Sequence, residues 1–190
     1  MIEQAFEYMA DHPIEGALCE FGVWTGNGLA SMSGYASRIC PEAPMYGFDS
    51  FEGMPATSVE LRDNHKIVWA PGSYKADMET VQKRLPHVHF IKGLFSDLKP
   101  LSEYGITRVR FARLDCDIYE GYRDALKLLT PCIVPGTVLL FDEGVAPPDA
   151  RYYESIRDSG ARAIAEWQQE SGLKLRILNL LWTECLAVIE

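Results

Sequence analysis

The stretch Ala17-Leu18-Cys19-Glu20-Phe21-Gly22-Val23-Trp24-Thr25-Gly26-Asn27-Gly28 decides the fold. A mostly apolar run leads into three glycines, and residues 29–39 then have the apolar spacing of a helix. This order predicts a strand, a tight turn and a helix start, the local geometry with which α/β sheets bind nucleotide-like ligands. Glycines are also common in turns for steric reasons alone. The motif by itself therefore fits either a ligand-binding turn or a purely structural one.

The spacing of the glycines separates two classes of cofactor. A dinucleotide fingerprint reads Gly-x-Gly-x-x-Gly, whereas Gly22, Gly26 and Gly28 read Gly-x-x-x-Gly-x-Gly, with Glu20 two residues ahead. This spacing resembles motif I of S-adenosylmethionine-dependent methyltransferases. It disfavours the alternative of an NAD(P)-linked oxidoreductase, as does the lack of a Ser/Tyr/Lys catalytic pattern.

Composition narrows the possible partners and the compartment. The chain of 190 residues is predicted to be one domain, residues 1–190, and its formal net charge of −9 disfavours nucleic-acid binding. The N-terminus has no basic region followed by an apolar core, and no stretch reaches membrane-spanning length, so we expect a cytoplasmic protein without a membrane partner. Five cysteines, most of them in apolar runs, are predicted to be buried and reduced.

Strands and helices are predicted to alternate along most of the chain. An N-terminal helix within residues 1–16 precedes strands at residues 17–23, 45–50, 88–92, 109–115 and up to residue 142, and helices are expected between them and at residues 151–171. Two final strands, residues 173–180 and 183–189, leave no room for a helix, so the second returns antiparallel. The predicted fold is a Rossmann-like doubly wound α/β sheet of seven strands, in the order 3-2-1-4-5-7-6, with strand 7 antiparallel.

Asp49 ends the second predicted strand, 23 positions after Gly26. At about this distance, a carboxylate of this fold type meets the ribose of a bound nucleoside, because its two oxygens can accept from adjacent hydroxyls. The alternative is that Asp49 and Ser50 cap the following turn.

Residues 52–73 have two prolines and little periodicity. A connection of this length without regular structure is usually functional, and we expect a lid in which His65 or Trp69 reaches the substrate. The alternative is an ordinary loop that Trp69 anchors.

Acidic residues follow the fourth and fifth predicted strands. Asp115 and Asp142 would emerge side by side, with Glu143 next in line, because neighbouring strands lie about 4.8 Å apart. Such carboxylates repel each other unless a cation lies between them, and oxygen ligands favour Mg²⁺, with Ca²⁺ or Mn²⁺ as alternatives. Helix capping is the competing interpretation for Asp142 and for Asp117.

Several motifs in order resemble those of the macrocin O-methyltransferase family. They are Glu20-Phe21-Gly22-Val23-Trp24-Thr25-Gly26, Asp49-Ser50-Phe51-Glu52-Gly53-Met54-Pro55, Gly93-Leu94-Phe95-Ser96-Asp97, Leu114-Asp115-Cys116-Asp117-Ile118-Tyr119-Glu120, and Pro135-Gly136 followed by Phe141-Asp142-Glu143. The resemblance implies a class I, S-adenosylmethionine-using, Mg²⁺-dependent enzyme. Many members of the family methylate sugar hydroxyls of natural products.

The resemblance also implies roles for individual residues. Glu20, Gly22 and Gly26 would cradle the methionine end of the cofactor, and Asp49 would take the ribose hydroxyls. The adenosine would lie beside Ser50 and Phe51, and the cofactor set also includes Gly93 and Phe95. The metal would be held by Asp115, Asp142 and Glu143.

The expected reaction is methyl transfer to a hydroxyl of a small-molecule acceptor. A metal on that hydroxyl would orient it and lower its pKa, and the candidates for the base are Asp115, Asp117 and His65. A non-enzyme alternative is a degenerate cofactor-binding protein, because the family usually has Asp-Asp-Tyr where this chain has Asp142-Glu143-Gly144. The sequence leaves open whether the protein is a homo-oligomer.

Overall fold

The molecule is built on a seven-stranded sheet with helices on both faces. A computed structural model describes residues 1–55, 70–145 and 159–190. Within these ranges the strands are β1 Ala17–Phe21, β2 Met45–Asp49, β3 Val88–Lys92, β4 Val109–Leu114, β5 Val138–Phe141, β6 Leu175–Leu181 and β7 Glu184–Ile189. The α-helices are α1 Ile2–Asp11, α2 Asn27–Ile39, α3 Met78–Arg84, α4 Tyr119–Leu129 and α5 Gly160–Ser171. The last predicted helix began at residue 151, and residues 151–158 lie outside the described ranges.

The strand order is β3-β2-β1-β4-β5-β7-β6, which confirms the predicted topology. Strands β1 to β5 are parallel to one another, and β7 is antiparallel to both β5 and β6. The direction of winding therefore reverses between β1 and β4. In open α/β sheets, ligands bind at such a reversal, outside the carboxyl ends of the strands.

Two hydrophobic cores lie on the two faces of the sheet. Leu18 of β1 packs with Phe6 and Met32 in the core under α1 and α2, whereas Phe21 belongs to the core that contains Leu126 of α4. Side chains alternate between the faces of a strand, and all five residues of β1 are buried. The central strands are covered on both sides, which explains their nearly continuous apolar sequence.

The predicted lid covers residues 52–73, and the described residues at and beside its two ends, 50–55 and 70–75, are called here the lid base. Met54 N–H donates to the Ser73 carbonyl at 2.8 Å, and Gly72 N–H donates to the Met54 carbonyl at 2.9 Å. Residues 56–69, with His65 and Trp69, lie outside the described ranges. The roles given to these two side chains therefore stay predictions.

All five cysteines are buried and free, as predicted: Cys19, Cys40, Cys116, Cys132 and Cys185. Burial raises the pKa of the Cys185 thiol to about 11, so the neutral form dominates at neutral pH. None of the helices in the described part of the chain is long and apolar enough to cross a membrane.

Candidate functional site

A cavity of about 400 Å³ opens at the carboxyl ends of β1, β2, β4 and β5. This volume is within the usual range for small-molecule sites. Gly22 of the glycine turn and the acids Asp115, Asp117 and Asp142 line this cavity, at the position expected from the sheet order, whereas Glu143 is not among the lining residues. The predicted site residues that line it are Gly22, Asp49, Ser50, Gly93, Phe95, Asp115, Asp117 and Asp142.

The glycine turn is shaped by close backbone approach. Gly22 has φ +89°, and a Cβ at this position would lie 1.8 Å from the Asp115 carbonyl oxygen. The glycine therefore allows the end of β4 to pass directly beside the turn. Gly26, at φ +77°, precedes α2, and a Cβ there would meet Val81 of α3 at 2.8 Å. Gly26 is not among the residues that line the cavity, and its contact with the cofactor stays a prediction.

Asp49 holds the glycine turn and the next turn together. Its Oδ2 accepts from Val23 N–H at 2.7 Å and Trp24 N–H at 2.8 Å, and its Oδ1 accepts from Phe51 N–H at 2.7 Å. Asp49 therefore caps the following turn, as the alternative interpretation of the sequence proposed. The side chain also lines the cavity, and a carboxylate with about four acceptor sites keeps capacity for one further bond. The ribose contact stays a prediction.

The structure places Phe51 in the hydrophobic core, and its predicted place beside the adenosine stays a prediction. Its side chain is 2% exposed and packs edge-on against Phe90, with ring centroids 6.1 Å apart. The backbone adopts φ +56°, in the left-handed region, directly after the turn that Asp49 caps. This turn directs the ring inward, and Ser50 remains at the cavity surface.

Glu20 was predicted to contact the cofactor, but its carboxylate is enclosed by the protein. The residue is fully buried, its Oε2 accepts from Leu29 N–H at 3.1 Å, and its Oε1 pairs with Arg113 Nη1 at 2.9 Å. Gly28 leaves room for this carboxylate, since a Cβ there would lie 1.8 Å from Oε1. Burial raises the pKa of Glu20 to about 7, against the lowering effect of Arg113. Glu20 thus fixes the start of α2.

Arg113 is a site residue that the sequence analysis missed. Its Nη1 lies 2.8 Å from Asp115 Oδ2 and its Nη2 lies 2.9 Å from Asp142 Oδ1, in addition to the pair with Glu20. The sequence predicted a cation between Asp115 and Asp142, and this guanidinium occupies that place. The signal available in the sequence was that Arg113 is one of two arginines in the otherwise apolar strand β4. The structure adds that it lies in register with Glu20.

A second group of carboxylates lies beside the guanidinium. Ligand oxygens of Asp115, Asp117 and Glu143 all lie within 4.8 Å of one another. The predicted metal set was Asp115, Asp142 and Glu143, but Asp142 is drawn toward Arg113, and Asp117 takes its place in this group. Such an all-oxygen set fits the ligand preference of Mg²⁺.

The carboxylates of this second group hold protons more tightly than usual. Burial, followed by the charges of Asp115 and Asp142, raises the pKa of Asp117 to about 7. The pKa of Glu143 is raised too, first by burial and then by neighbouring acids, although the Tyr122 hydroxyl donates to its Oε2 at 2.5 Å. Asp117 does not cap α4: the N-cap residue is Ile118, and Asp117 has φ +58°.

Two aromatic residues without a predicted role also line the cavity. The rings of Trp24 and Tyr74 meet edge to face, with centroids 5.2 Å apart and an interplanar angle of 79°. The position of Trp24 within the glycine turn was the one sign in the sequence that this residue lines the site. Tyr74 belongs to the lid base.

Two relatives in sequence are named as O-methyltransferases. A 4'-O-methyltransferase for 8-demethyl-8-(2,3-dimethoxy-alpha-L-rhamnosyl)-tetracenomycin-C from Streptomyces olivaceus is 30% identical over 141 residues, which are 68% of this chain and 53% of that protein. Demethyldecarbamoylnovobiocin O-methyltransferase from Streptomyces niveus is 26% identical over 159 residues, 77% of this chain and 60% of that protein. The chain thus spans between half and two thirds of the length of these relatives.

Solved structures match the fold over almost the whole chain. The calicheamicin methyltransferase CalS11 aligns with a TM-score of 0.73 at 20% identity, and covers 98% of this chain and 76% of its own. The O-methyltransferase NovP aligns with the same TM-score at 19% identity, and covers 98% and 77%. The sequence model of the macrocin-O-methyltransferase (TylF) family matches residues 1–166. The chain therefore belongs to the macrocin-O-methyltransferase (TylF) family.

Proposed function

We propose that the protein is an S-adenosylmethionine-dependent O-methyltransferase that acts on a hydroxyl of a sugar or another small natural-product-like acceptor. The observation that carries the proposal is the shared cavity, which brings the glycine turn at Gly22 and the acids Asp115, Asp117 and Asp142 to one cleft. Family membership and the names of the relatives support the same reaction.

The two sides of the cavity suit the two reactants. The side formed by Gly22, Ser50 and Gly93 offers backbone and hydroxyl groups for a nucleoside with little side-chain bulk. Asp49 has one acceptor position left for a ribose hydroxyl. The acidic side lies beside it, so the methyl group and the acceptor hydroxyl would meet between the two, as an in-line displacement requires.

The acidic group is suited to a divalent cation. Asp115, Asp117 and Glu143 would hold Mg²⁺, and Asp142 would join them if the cation displaced it from Arg113. When bound, the ion would orient the acceptor hydroxyl and lower its pKa.

Asp117 is the base that the geometry favours. It lines the cavity, and one of its two carboxylate oxygens would remain to accept a proton if the other held the cation. In the metal-free protein, burial and the neighbouring acids raise its pKa to about 7. Asp115, in contrast, is ion-paired with Arg113. In the proposed step, the acceptor oxygen attacks the methyl carbon, the carbon–sulfur bond breaks, and the hydroxyl proton passes to the Asp117 carboxylate. The products are a methyl ether and S-adenosylhomocysteine.

Mass spectrometry tests the proposal. The protein is incubated with S-adenosylmethionine, Mg²⁺ and a panel of rhamnosides, including TDP-rhamnose, and a methyl ether is expected from at least one acceptor. Asp117→Asn and Asp142→Ala should lose turnover by at least about a hundredfold and keep affinity for S-adenosylhomocysteine. Asp97→Asn, an exposed acid outside the cavity lining, is the matched control. Metal-stimulated turnover retained in Asp142→Ala would contradict the role of that residue.

A cofactor-binding protein without catalysis is the second candidate. Arg113 already pairs with Asp115 and Asp142, so these two carboxylates have a cation between them without a metal. Isothermal titration of Mg²⁺ in the presence of S-adenosylhomocysteine separates the candidates, because the enzyme should bind the ion and the degenerate protein should not.

A further inference from the structure

We propose that Trp24 and Tyr74 form the subsite for the acceptor, and that they hold the carbon face of a pyranose ring beside the carboxylates. The inference rests on the proposed methyl transfer and names the residues that select the acceptor. Both rings line the cavity, and their centroids are 5.2 Å apart.

Trp24 presents apolar surface that the protein itself leaves open. Its side chain is 46% exposed, although an indole of this size is normally buried for the most part. Four of the other exposed large apolar residues of the described chain lie on β6 or next to it, in the hairpin with β7, away from the cavity: Ile177, Leu180, Leu181 and Trp182. Exposed apolar surface inside a cavity with polar residues at one end is typical of a ligand site.

Both aromatic residues are held in place by their backbones. Trp24 has φ +46° and its N–H is bound by Asp49, while Tyr74 has φ +61° and follows the paired residues of the lid base. A bulky residue in the left-handed region costs about 1–3 kcal/mol, and such residues persist chiefly where the surroundings impose them, often at functional sites. Two of them in contact at one cavity therefore indicate a preformed platform.

The chemistry around the platform matches a sugar ring. Asp115 and Asp117 line the same cavity as the two rings, and burial, followed by their charges, raises the pKa of the Tyr74 hydroxyl. A ring seated on Trp24 would therefore extend its edge toward those acids. A pyranose has C–H groups on its faces, which suit the negative face of an aromatic ring, and hydroxyls at its edge, which suit carboxylates.

Kinetics with methyl α-L-rhamnopyranoside as the probe test the inference. Trp24→Leu keeps apolar bulk without the aromatic face, and we expect KM for the rhamnoside to rise about tenfold, with kcat and the affinity for S-adenosylhomocysteine changed less than about twofold. Trp24→Phe, which keeps an aromatic face, should have a KM much closer to that of the wild-type protein. Tyr74→Leu should also raise KM, whereas Tyr74→Phe, which keeps the ring, should raise it less. Trp182→Phe, at the most exposed tryptophan of the described chain, is the control.

The outcomes separate this inference from the proposed function. If the wild-type protein methylates the rhamnoside and Trp24→Leu leaves KM unchanged, the aromatic subsite is wrong and the methyl transfer stands. An equal loss of S-adenosylhomocysteine affinity in Trp24→Leu would assign the indole to the cofactor and also overturn the inference. If the wild-type protein methylates another small acceptor but no sugar, the subsite inference alone is wrong. If it methylates no small acceptor at all, the proposed function fails, and the acceptor subsite fails with it.

Discussion

At the scale of single residues, three carboxylates share one guanidinium. Glu20, Asp115 and Asp142 each lie within 2.9 Å of Arg113, whose side chain is 15% exposed. Their charges raise the already high pKa of Arg113, although burial opposes this, so it stays cationic at any physiological pH. Buried ion pairs of this kind contribute little net stability compared with apolar packing, but removal of one partner leaves an uncompensated charge.

Arg113→Met should therefore lower the free energy of unfolding by about 3–5 kcal/mol. Equilibrium urea unfolding measures the change. The double variant with Glu20→Gln should recover part of it, because the buried Glu20 charge is then absent. Arg123→Met is the control, since Arg123 is half exposed, forms an ion pair with its neighbour Asp124 and lies over the Tyr119 ring. Equal destabilisation by both single variants would contradict the account.

The raised pKa of Asp117 predicts how stability changes with pH in metal-free protein. Its pKa increases from 3.8 in the unfolded reference to about 7 in the folded chain, so between these values the folded state binds more protons. The contribution to stability is therefore complete below about pH 4 and is lost as the pH rises toward 7.

Thermal unfolding in EDTA at pH 5 and pH 7.5 measures this effect. The wild-type Tm should fall by several degrees more than that of Asp117→Asn, since about 1 kcal/mol corresponds to roughly 2–4 °C for a chain of this size. Asp97→Asn should behave like the wild type. If the Tm of the wild-type protein and that of Asp117→Asn fall equally between the two pH values, Asp117 does not hold the extra proton of the folded state.

At the scale of elements, the turn between β1 and α2 depends on a close approach to β4. Gly22→Ala would place a Cβ against the Asp115 carbonyl at positive φ, whereas Gly34, inside α2, is exposed and has no heavy atom within 4 Å of the Cβ position. We expect Gly22→Ala to destabilise the fold by more than about 2 kcal/mol, and Gly34→Ala to stabilise it by about 0.5–1 kcal/mol. Urea unfolding of both variants checks the opposite signs, and equal effects would refute the role of Gly22.

The sequence was sufficient to predict the elements because each depends mainly on local pattern. Strands such as β5, buried on both faces, read as short apolar runs, and the terminal hairpin follows from two runs with no room for a helix. Side-chain direction depends on partners distant in the sequence. Phe51 turns inward because Asp49 caps its N–H, and Glu20 is enclosed because Arg113, 93 positions later, reaches it. No local pattern contains that information.

At the scale of the whole molecule, ligand binding should stabilise the fold. The cavity is formed by the ends of several strands, so it exists only in the folded chain. A ligand that binds only the folded chain, at a concentration 100 times its Kd, adds about 2.7 kcal/mol to the free energy of unfolding. A thermal shift assay should therefore give a Tm increase of roughly 5–10 °C with S-adenosylhomocysteine and none with NAD. A larger increase with NAD would favour the oxidoreductase alternative.

We propose that one cavity places a sulfonium nucleoside beside a carboxylate-bound cation. A crystal structure with S-adenosylhomocysteine and Mn²⁺, with anomalous data for the metal, is the decisive measurement. We expect the nucleoside to lie against Gly22, Ser50 and Gly93, and an anomalous peak to lie among the oxygens of Asp115, Asp117 and Glu143. A nucleoside bound elsewhere, or a cavity without the metal peak at saturating Mn²⁺, would contradict it.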